Sequence, residues 1–346
     1  MRLGAPGAAI LAVFAASASC LAAQGPPASA LPARTVRVRG PEVLDPDGRP
    51  LRLRGFNCLW WANPDEQAAR DIVALGANCV RYMFGYEPSG RFDPRRVEFV
   101  ERHVRIFTSR GLWVIPTVHK FERRRGGALE QPWSSAELRG EFLEMWTRVV
   151  ERLRDEPRIA AWEPLNEPHD VDELTLMKWY FEVIDRFRRL DHKRPLVLEG
   201  KGYSNPWEVG DYLKVPDPNI IYSFHMYSPH EFTHQPKEKP EEYPGRWGRE
   251  FLASQLEPVV RFRERHRVPV FCGEWGVLTR AKGYERWLAD VAGLLEERGF
   301  HWTHWAWVVK QPDPVDDSFD VNTHKKGIYG VMAQVFRTAL ARRGRD

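Results

Sequence analysis

The sequence predicts an α/β protein, a single (β/α)8 barrel with a short N-terminal β-hairpin. The chain has 346 residues, and a barrel of roughly 250 residues or more uses most of such a length as one domain. Short apolar runs alternate with amphipathic segments eight times along it. Eight repeats of strand then helix are the arrangement of this barrel, whose chemistry sits where the strands end.

Eight apolar runs are the strand candidates. They begin at Leu51, Asn78, Leu112, Ile159, Pro195, Asn219, Val268 and His301. The segments between them carry helix signals, such as a capping box formed by Asn63 and Glu66 and a stop at Gly76. The hairpin is predicted from two β-rich runs around Asp45 to Gly48, whose aspartates and glycine supply turn geometry.

The first residues have the layout of an export signal. One early arginine precedes an apolar run from Ala8 to Ala16 and then small residues, which is typical of a secretory signal over 1–23. The apolar run is too short to span a bilayer. Cleavage after Ala22 or Ala23 is one alternative, and a lipid-carrying N-terminus at Cys20 is the other. Residues 24–34 are rich in Pro, Ala and Ser and predict a linker before a catalytic domain at 35–346.

The charge distribution limits the partners that we expect, and the number of cysteines limits the disulfide bonds. The 51 basic and 47 acidic residues are scattered, so we expect neither a nucleic-acid surface nor a membrane span. We interpret the one dense basic cluster, Glu122 to Arg125, as a solvated loop. Apart from Cys20, the chain has Cys58, Cys79 and Cys272, an odd number that predicts buried thiols, with a Cys58–Cys79 bridge as the alternative.

Two glutamates occupy equivalent places in the predicted barrel. Glu167 follows the fourth strand in WEPLNEPH, where Pro164 and Pro168 stop strand pairing and turn the chain over the barrel mouth. Glu274 follows the seventh strand in VFCGEWG, 107 residues later (274 minus 167). Carboxylates facing each other across the mouth are what a retaining glycosidase needs, one as nucleophile and one as acid and then base. Either could instead be an ion-pair partner in a loop.

Other strand ends supply groups that suit such a pair. They are Arg81, His119, Asn166, His225, Tyr227 and Trp305. A carboxylate beside a guanidinium and a phenol hydroxyl stays ionised, which suits a nucleophile. The structural alternatives are a rim salt bridge for the arginine and satisfied core positions for the histidines.

Metal chemistry is not expected, and an aromatic cleft is. His230 and His234 have a spacing that suits metal ligands on a helix, but Pro229 argues against a helix there, so the prediction is no metal and no cofactor. The 14 tryptophans exceed what a core needs. We expect Trp60, Trp61, Trp305 and Trp307 at loop or strand ends, where flat rings suit sugar faces. The core is expected to hold Trp113, Trp146 and Trp179.

Taken together, these residues resemble glycoside hydrolase family 5, a family of (β/α)8 retaining glycosidases. The resemblance covers nearly everything from about Val36 onward, and its most specific parts are LNEP at 165–168 and the GE of CGEW at 273–274. It implies that Glu167 is the general acid/base and Glu274 the nucleophile. It also implies that Asn166 binds the 2-hydroxyl of the sugar, Arg81 and Tyr227 hold Glu274, His119 and His225 line the subsites beside the cleaved bond, and Trp305, rather than Trp307, is the strand-eight tryptophan.

The resemblance implies a substrate class as well. The stretch YSPHEFTHQ, ending at Gln235, is similar to the loop of cellulase-like members and favours a β-1,4-linked glucan, cleaved by double displacement by a monomer. The loop at 120–133 is more basic than is usual in the family, which leaves the subsites beside it open. The alternatives are a β-mannanase, an exo-β-glucosidase, a non-catalytic carbohydrate-binding barrel and a metallohydrolase.

Overall fold

The protein was analysed as a computed structural model that describes residues 35–85, 95–234, 241–308, 319–321 and 327–343. The predicted export signal and linker lie outside these residues. The N-terminal hairpin is present and pairs Arg37–Arg39 with Glu42–Leu44 in antiparallel fashion. One turn of this hairpin lies at Gly40, which has a φ of 58°. The predicted turn at Asp45 to Gly48 is also formed, because Leu44 and Pro50 pair across it in an antiparallel bridge. In this second turn the Asp45 carboxylate accepts a hydrogen bond from the Arg49 amide at 2.8 Å.

All eight predicted strand runs form barrel strands. They are β1 (Arg54–Leu59), β2 (Cys79–Phe84), β3 (Trp113–Val118), β4 (159–163), β5 (Leu196–Glu199), β6 (Ile220–Met226), β7 (Val270–Trp275) and β8 (His301–His304). Seven form one parallel sheet in the order β3-β2-β1-β8-β7-β6-β5. Strand β4 closes the ring through isolated parallel bridges, Val114 to Ile159 and Thr117 to Glu163 on one side and Trp162 to Leu196 on the other.

Seven long helices surround the barrel in the described part of the chain. They are α1 (Glu66–Ala74), α2 (Arg95–Thr108), α3 (Ala136–Leu153), α4 (Glu173–Leu190), α5 (Arg249–His266), α6 (Tyr284–Glu297) and α7 (Ile328–Arg343). Between β5 and β6, where residues 200–219 are all described, two 3-10 turns at Pro206–Glu208 and Asp211–Leu213 replace the expected helix. The chain therefore departs from strict strand–helix alternation at this one connection.

The start of α1 differs from its predicted capping box. Asp65 caps the helix by accepting a hydrogen bond from the Ala68 amide at 2.8 Å. Asn63 instead ends a 3-10 turn, with a left-handed φ of 46° and its amide bonded to the Trp60 carbonyl. The aromatic turn before the helix thus moves the cap by two residues. The predicted stop is confirmed, since Gly76 follows the helix with a φ of 96°.

The basic loop after β3 is a second hairpin. Arg123–Arg125 pairs with Ala128–Glu130 around two glycines of positive φ. Arg123 is buried and forms ion pairs with Glu130 at 2.9 Å and Glu141 at 3.4 Å. The prediction of a solvated loop is therefore wrong for this arginine, because three glutamates, including Glu137, surround it.

Burial confirms the predicted core residues and corrects one. Trp113, Trp146 and Trp179 are buried as expected, and the three cysteines at 58, 79 and 272 are buried and free, so no bridge joins Cys58 to Cys79. Trp307, expected at the cleft, is also buried in the core against Phe56. Among the residues described, none of the helices has the length and apolarity needed to cross a membrane.

Candidate active site

Glu274 stands at the carboxyl end of β7 with both carboxylate oxygens engaged. Arg81 Nη1 donates to Oε1 at 2.8 Å, and the Tyr227 hydroxyl donates to Oε2 at 2.8 Å. Strand β7 carries a bulge at Gly273, so that Glu274 pairs with His225 of β6. A Cβ at position 273 would lie 3.0 Å from His225 Nε2, which explains why the residue before the glutamate is glycine.

Glu167 lies at the end of β4 and reaches the cleft. Its backbone has a left-handed φ of 50°, and its side chain is 26% exposed. The Glu167 amide donates to Glu199 Oε2 at 2.6 Å, and Glu167 Oε1 contacts His225 Nδ1 at 2.8 Å. One oxygen each of Glu167 and Glu274 and one nitrogen of His225 all lie within 4.8 Å of one another.

Aromatic rings form the walls of the cleft. Half-buried Trp305, at the end of β8, stacks on His119 with ring centroids 6.0 Å apart and 17° between the planes. Trp61 packs edge-on against the other side of His119 at 5.2 Å. Tyr203, which lines the same cavity, is 51% exposed and stacks on His169 at 4.7 Å.

Seven of the eight predicted site residues lie in or directly around one open cleft, and Arg81 lies below its floor. A cavity of about 410 Å³ is bounded by His119, Glu167, Tyr203, Tyr227, Glu274 and Trp305, among others. Asn166 lines the adjoining part of the cleft, and its Oδ1 accepts a hydrogen bond from Arg81 Nη2 at 2.8 Å. His225 is buried between the two predicted catalytic carboxylates.

Sequence reasoning missed two buried carboxylates that share Arg81. Glu163 in β4 accepts hydrogen bonds from Arg81 Nε at 2.6 Å and Arg81 Nη2 at 3.0 Å. Glu199 at the end of β5 accepts from Arg81 Nη2 at 3.0 Å and contacts His225 Nε2 at 3.0 Å. The signal was present in the sequence as a single acid inside each of two apolar strands, because an acid buried there needs a partner.

Burial and neighbouring charges shift the pKa values of Glu163, Glu199 and His225 in different directions. Burial and the negative charge of Glu199 raise the pKa of Glu163 to about 7 despite Arg81. Burial alone would raise the pKa of Glu199, but His225 and Arg81 hold it well below its usual range. For His225 burial lowers the pKa, and the charges of Glu199 and Glu274 outweigh this and raise the pKa well above its usual value. His225 is therefore an imidazolium at neutral pH.

Burial is the largest influence on the pKa of Glu274, the nucleophile candidate, and on the pKa of His119 in the cleft. Burial raises the pKa of Glu274, and the positive charge of His225 offsets part of the rise. The sequence-based expectation considered only the effect of Arg81 and Tyr227 on the ionisation of Glu274 and did not include the effect of burial. Burial and nearby cations lower the pKa of His119 to about 3, so its ring is neutral. The pKa of Tyr227 is raised by burial and by Glu274, which keeps its hydroxyl a donor.

The histidines after β6 correct one step of the sequence argument. His230–Thr233 forms a one-turn helix directly after Pro229, since proline is tolerated where a helix begins. His230 and His234 stack with centroids 4.1 Å apart. Among the described residues, the three groups placed to share a metal ion are Glu167, His225 and Glu274. An ion there would have to displace the proton that His225 shares with its carboxylates.

A closed barrel with two carboxylates at its mouth is an architecture of glycoside hydrolases. The sequence model of the cellulase family, glycosyl hydrolase family 5, matches residues 44–311. The chain therefore belongs to glycosyl hydrolase family 5 and is an O-glycosyl hydrolase.

Relatives and solved structures agree with this assignment. Endoglucanase C of Acetivibrio thermocellus is 28% identical over 278 residues, which cover 67% of this chain and 80% of that protein. Mannan endo-1,4-beta-mannosidase 2 of Arabidopsis thaliana is 29% identical over 301 residues, covering 69% of this chain and 68% of the relative. The endoglucanase Cel5A of Thermotoga maritima superposes with a TM-score of 0.69 at 21% identity, covering 82% of this chain and 96% of that chain. At 21% identity, the similarity to Cel5A shows a shared fold only.

Proposed function

We propose that the protein hydrolyses β-1,4-linked glucan with retention of anomeric configuration, with Glu274 as nucleophile and Glu167 as acid/base. The observation that carries this proposal is the approach of the two carboxylates, which have oxygens within 4.8 Å of each other. Retaining enzymes hold the pair about 5 to 5.5 Å apart, and inverting enzymes about 6.5 to 9.5 Å apart to admit a water.

In the first step Glu274 attacks the anomeric carbon while Glu167 gives its proton to the glycosidic oxygen. The bond between the anomeric carbon and that oxygen breaks, and an ester bond to Glu274 forms. Arg81 and Tyr227 each donate to one oxygen of Glu274, so they hold the carboxylate in place. Their hydrogen bonds also fix which face of the sugar it can attack.

In the second step water replaces Glu274 at the anomeric carbon. Glu167, now a carboxylate, takes a proton from the water, and the ester is cleaved to release Glu274. His225 faces both carboxylates, with Nδ1 at 2.8 Å from Glu167 and 3.8 Å from Glu274. Its positive charge stabilises whichever of the two is ionised at each stage.

The open cleft supports a polymeric substrate. Tyr203 and Trp305 line the same cavity as the two carboxylates, and Trp61 and Tyr203 are exposed. Flat rings of this kind stack on sugar faces. The relatives named endoglucanase favour a β-glucan. The relatives named mannan endo-1,4-beta-mannosidase support a second candidate, β-mannan, which differs at the sugar 2-hydroxyl.

The test is reducing-end release from carboxymethylcellulose, mixed-linkage β-glucan, glucomannan, galactomannan and xylan, with Glu274→Ala as the matched variant. We expect release from the β-glucans that is lost in Glu274→Ala while its circular dichroism stays unchanged. Release confined to the mannans would move the assignment to the second candidate. A folded wild-type chain that is silent on polymers but cleaves aryl β-glucosides would be an exo-acting β-glucosidase. A folded chain that binds the glucans and cleaves none would be a carbohydrate-binding barrel.

We further propose that residues 1–23 direct export and that the mature chain acts outside the cytoplasm as a monomer. The arginine, apolar run and small residues of that segment support export. The mass of the mature N-terminus tests it: a start at 23 or 24 indicates simple cleavage, and a lipid-modified Cys20 indicates an anchored form. An unprocessed chain retained inside cells contradicts the proposal, and light scattering tests the monomer.

A further inference from the structure

Glu199 is a fully buried carboxylate that the two-step mechanism does not use. Its Oε1 accepts from Arg81 Nη2 at 3.0 Å and from the Ser223 hydroxyl at 3.3 Å. Its Oε2 accepts from the Glu167 amide at 2.6 Å and from the Ser204 hydroxyl at 2.6 Å. With 0% exposure it does not touch substrate, so any role it has is exerted through these neighbours.

We propose that Glu199 is a positioning residue that fixes the acid/base Glu167 from two sides, through the main-chain amide of Glu167 and through the imidazole of His225. The proposal rests on the proposed function of Glu167. It assigns to β5 a role in a reaction whose acid, nucleophile and donors otherwise come from β2, β4, β6 and β7 and the loops that follow them.

The main-chain contact holds a strained backbone. Glu167 has a φ of 50°, a left-handed conformation that brings the Cβ of a non-glycine residue too close to the backbone. The amide of Glu167 itself points at an ionised carboxylate 2.6 Å away and donates a charge-assisted hydrogen bond to it. Glu199 therefore stabilises the bend that directs the Glu167 side chain into the cleft.

The imidazole contact fixes the other end of Glu167. His225 Nε2 lies 3.0 Å from Glu199 Oε1, and Nδ1 lies 2.8 Å from Glu167 Oε1. Glu199 is ionised and can only accept, so Nε2 donates to it. The second proton of the imidazolium lets Nδ1 donate to Glu167 Oε1, an oxygen that can accept in both the acid and the carboxylate form of Glu167. The ring is thereby a rigid spacer between a buried anchor and the catalytic carboxyl.

Three carboxylates from three different strands or strand ends face His225. Glu199 faces it from β5, Glu167 from the end of β4 and Glu274 from β7, while Arg81 from β2 binds two of these carboxylates. His119, after β3, adds a weak opposing influence only when charged. Glu199 is the one of the three carboxylates that the reaction leaves unaltered, so it keeps His225 protonated throughout.

The same carboxylate also anchors the loop after β5. Three consecutive residues of this loop are left-handed, namely Gly202, Tyr203 and Ser204. The Ser204 hydroxyl donates a hydrogen bond to Glu199, and the Ser204 carbonyl accepts one from the His225 amide at 2.7 Å. The exposed ring of Tyr203 on the cleft wall is thus tied to the same anchor as Glu167.

Glu199→Gln tests the role, with Glu163→Gln as the matched control. Glutamine has the same size, but its amide nitrogen cannot accept a hydrogen bond. Glu163 is equally buried, binds the same Arg81 and accepts from Thr117 of β3. It contacts Glu199, but among the described residues no hydrogen bond joins its side chain to His225 or to the Glu167 amide. Its raised pKa makes glutamine a close stand-in for its protonated form.

The readout is the dependence of kcat/KM on leaving group across aryl β-cellobiosides, from 2,4-dinitrophenyl to phenyl. For Glu199→Gln we expect the loss on the phenyl substrate to exceed the loss on the dinitrophenyl substrate by at least about tenfold, because only the poor leaving group needs a well-placed proton. Any loss of activity in Glu163→Gln is expected to be equal on both substrates. Wild-type leaving-group dependence in Glu199→Gln would overturn the positioning role.

The pH profile of the same variant gives a second readout. The charge of His225 lowers the pKa of Glu274 more than the charge of Glu199 raises it. Removing Glu199 also removes the proton it holds on His225, so the pKa of Glu274 rises and the acidic limb of kcat/KM moves to higher pH. A limb that stays in place or moves down counts against the proposal.

Two further measurements keep the outcomes separate. If Glu199→Gln does not fold, the nitrogen chemical shifts of His225 in the wild-type chain decide: an imidazolium at pH 7 supports the role, and a neutral ring overturns it. Glu274→Ala is assayed beside both variants. Normal turnover by Glu274→Ala means that the proposed function has failed, whereas an inactive Glu274→Ala beside an unaltered Glu199→Gln defeats the positioning role alone.

Discussion

At the residue scale, Arg81 connects every acidic group beneath the cleft. Its guanidinium donates to Glu163, Glu199 and Glu274, and also to the side-chain oxygens of Asn57 and Asn166. Only arginine offers five donors in a fixed fork, so a lysine here would leave several buried acceptors unpaired. A site with this many acids in so little space depends on Arg81, together with the imidazolium of His225, to remain folded and partly ionised.

Replacing Glu167 with alanine is expected to separate the two halves of its role. Activity on natural β-glucans should fall by about 10²- to 10⁴-fold, the range of general acid catalysis, while glycosylation by 2,4-dinitrophenyl substrates is far less affected. Azide, which attacks without a base, should restore turnover of the activated substrate. The check is kcat/KM on both substrates for the acid role, and kcat on the activated substrate with and without azide for the base role. Equal losses on both substrates would contradict the acid role.

The pH dependence of the wild-type enzyme follows from Glu274. Burial raises the pKa of this carboxyl above its usual value, which is about 4.3 for glutamate. As pH falls through that raised pKa, Glu274 takes up a proton and loses its nucleophilicity, so activity is lost on the acid side. We therefore expect the acidic limb of kcat/KM above about pH 4.3. Full activity at pH 3.5 would rule out burial as the dominant influence.

The residues of the site were predictable to different degrees for physical reasons. Glu167 and Glu274 stand where strands end, and that position is visible from prolines and glycines in the sequence. Glu163 and Glu199 are also the last residues of their strands, but whether their side chains point at Arg81 depends on the barrel's register. A sequence does not display that register, so the buried half of the network was missed.

At the element scale, β1 and β2 approach too closely for any side chain at Gly55. A Cβ there would lie 1.7 Å from the Cys79 carbonyl oxygen, which belongs to the neighbouring strand and cannot give way. Gly55→Ala should therefore reduce the free energy of unfolding by at least about 2 kcal/mol. Gly140→Ala is the control, because this exposed position in α3 has open space and should gain about 0.5 to 1 kcal/mol. Urea unfolding of both variants checks the pair, and equal stabilities would contradict the close approach.

Helices and strands were predicted correctly where the local sequence determines them, and wrongly where an adjoining segment changes the local structure. The eight strands followed from short apolar runs bounded by turn residues, because a barrel strand is buried along its whole length. The cap of α1 is Asp65 and not Asn63, because Asn63 ends the Trp60–Ala62 turn in a left-handed conformation. Between β5 and β6, Pro206 and Gly210 favour the short turns that replace a helix.

At the scale of the whole molecule, a buried ion pair joins the start of the barrel to its end. Arg54 of β1 binds Glu296 of α6 through two hydrogen bonds of 2.6 Å, and the Trp302 ring nitrogen of β8 binds the same carboxylate at 2.7 Å. Burial opposes ionisation, but these donors hold the pKa of Glu296 below its usual range. The pair thus fastens the last barrel strand and α6 to the first strand.

Glu296→Gln is expected to lower the free energy of unfolding by about 3 kcal/mol at pH 7, because it leaves a buried guanidinium unpaired. A carboxyl with a depressed pKa contributes stability that is present above its unfolded value of about 4.3 and is lost as pH falls through the folded pKa. The difference between variant and wild type should therefore shrink below about pH 4. Denaturant unfolding at pH 7 and pH 3 measures it, and a constant difference would contradict the ionic origin.

The most direct test of the central claim is to trap the enzyme between its two steps. Incubation with 2,4-dinitrophenyl 2-deoxy-2-fluoro-β-cellobioside, followed by intact mass and peptide mapping, shows which residue forms the covalent bond. The expected result is one fluorocellobiosyl group per chain, on the peptide that contains Glu274, and none on folded Glu274→Ala. An adduct on another residue, or an active enzyme that forms no adduct and inverts the anomeric centre, would contradict a retaining mechanism through Glu274.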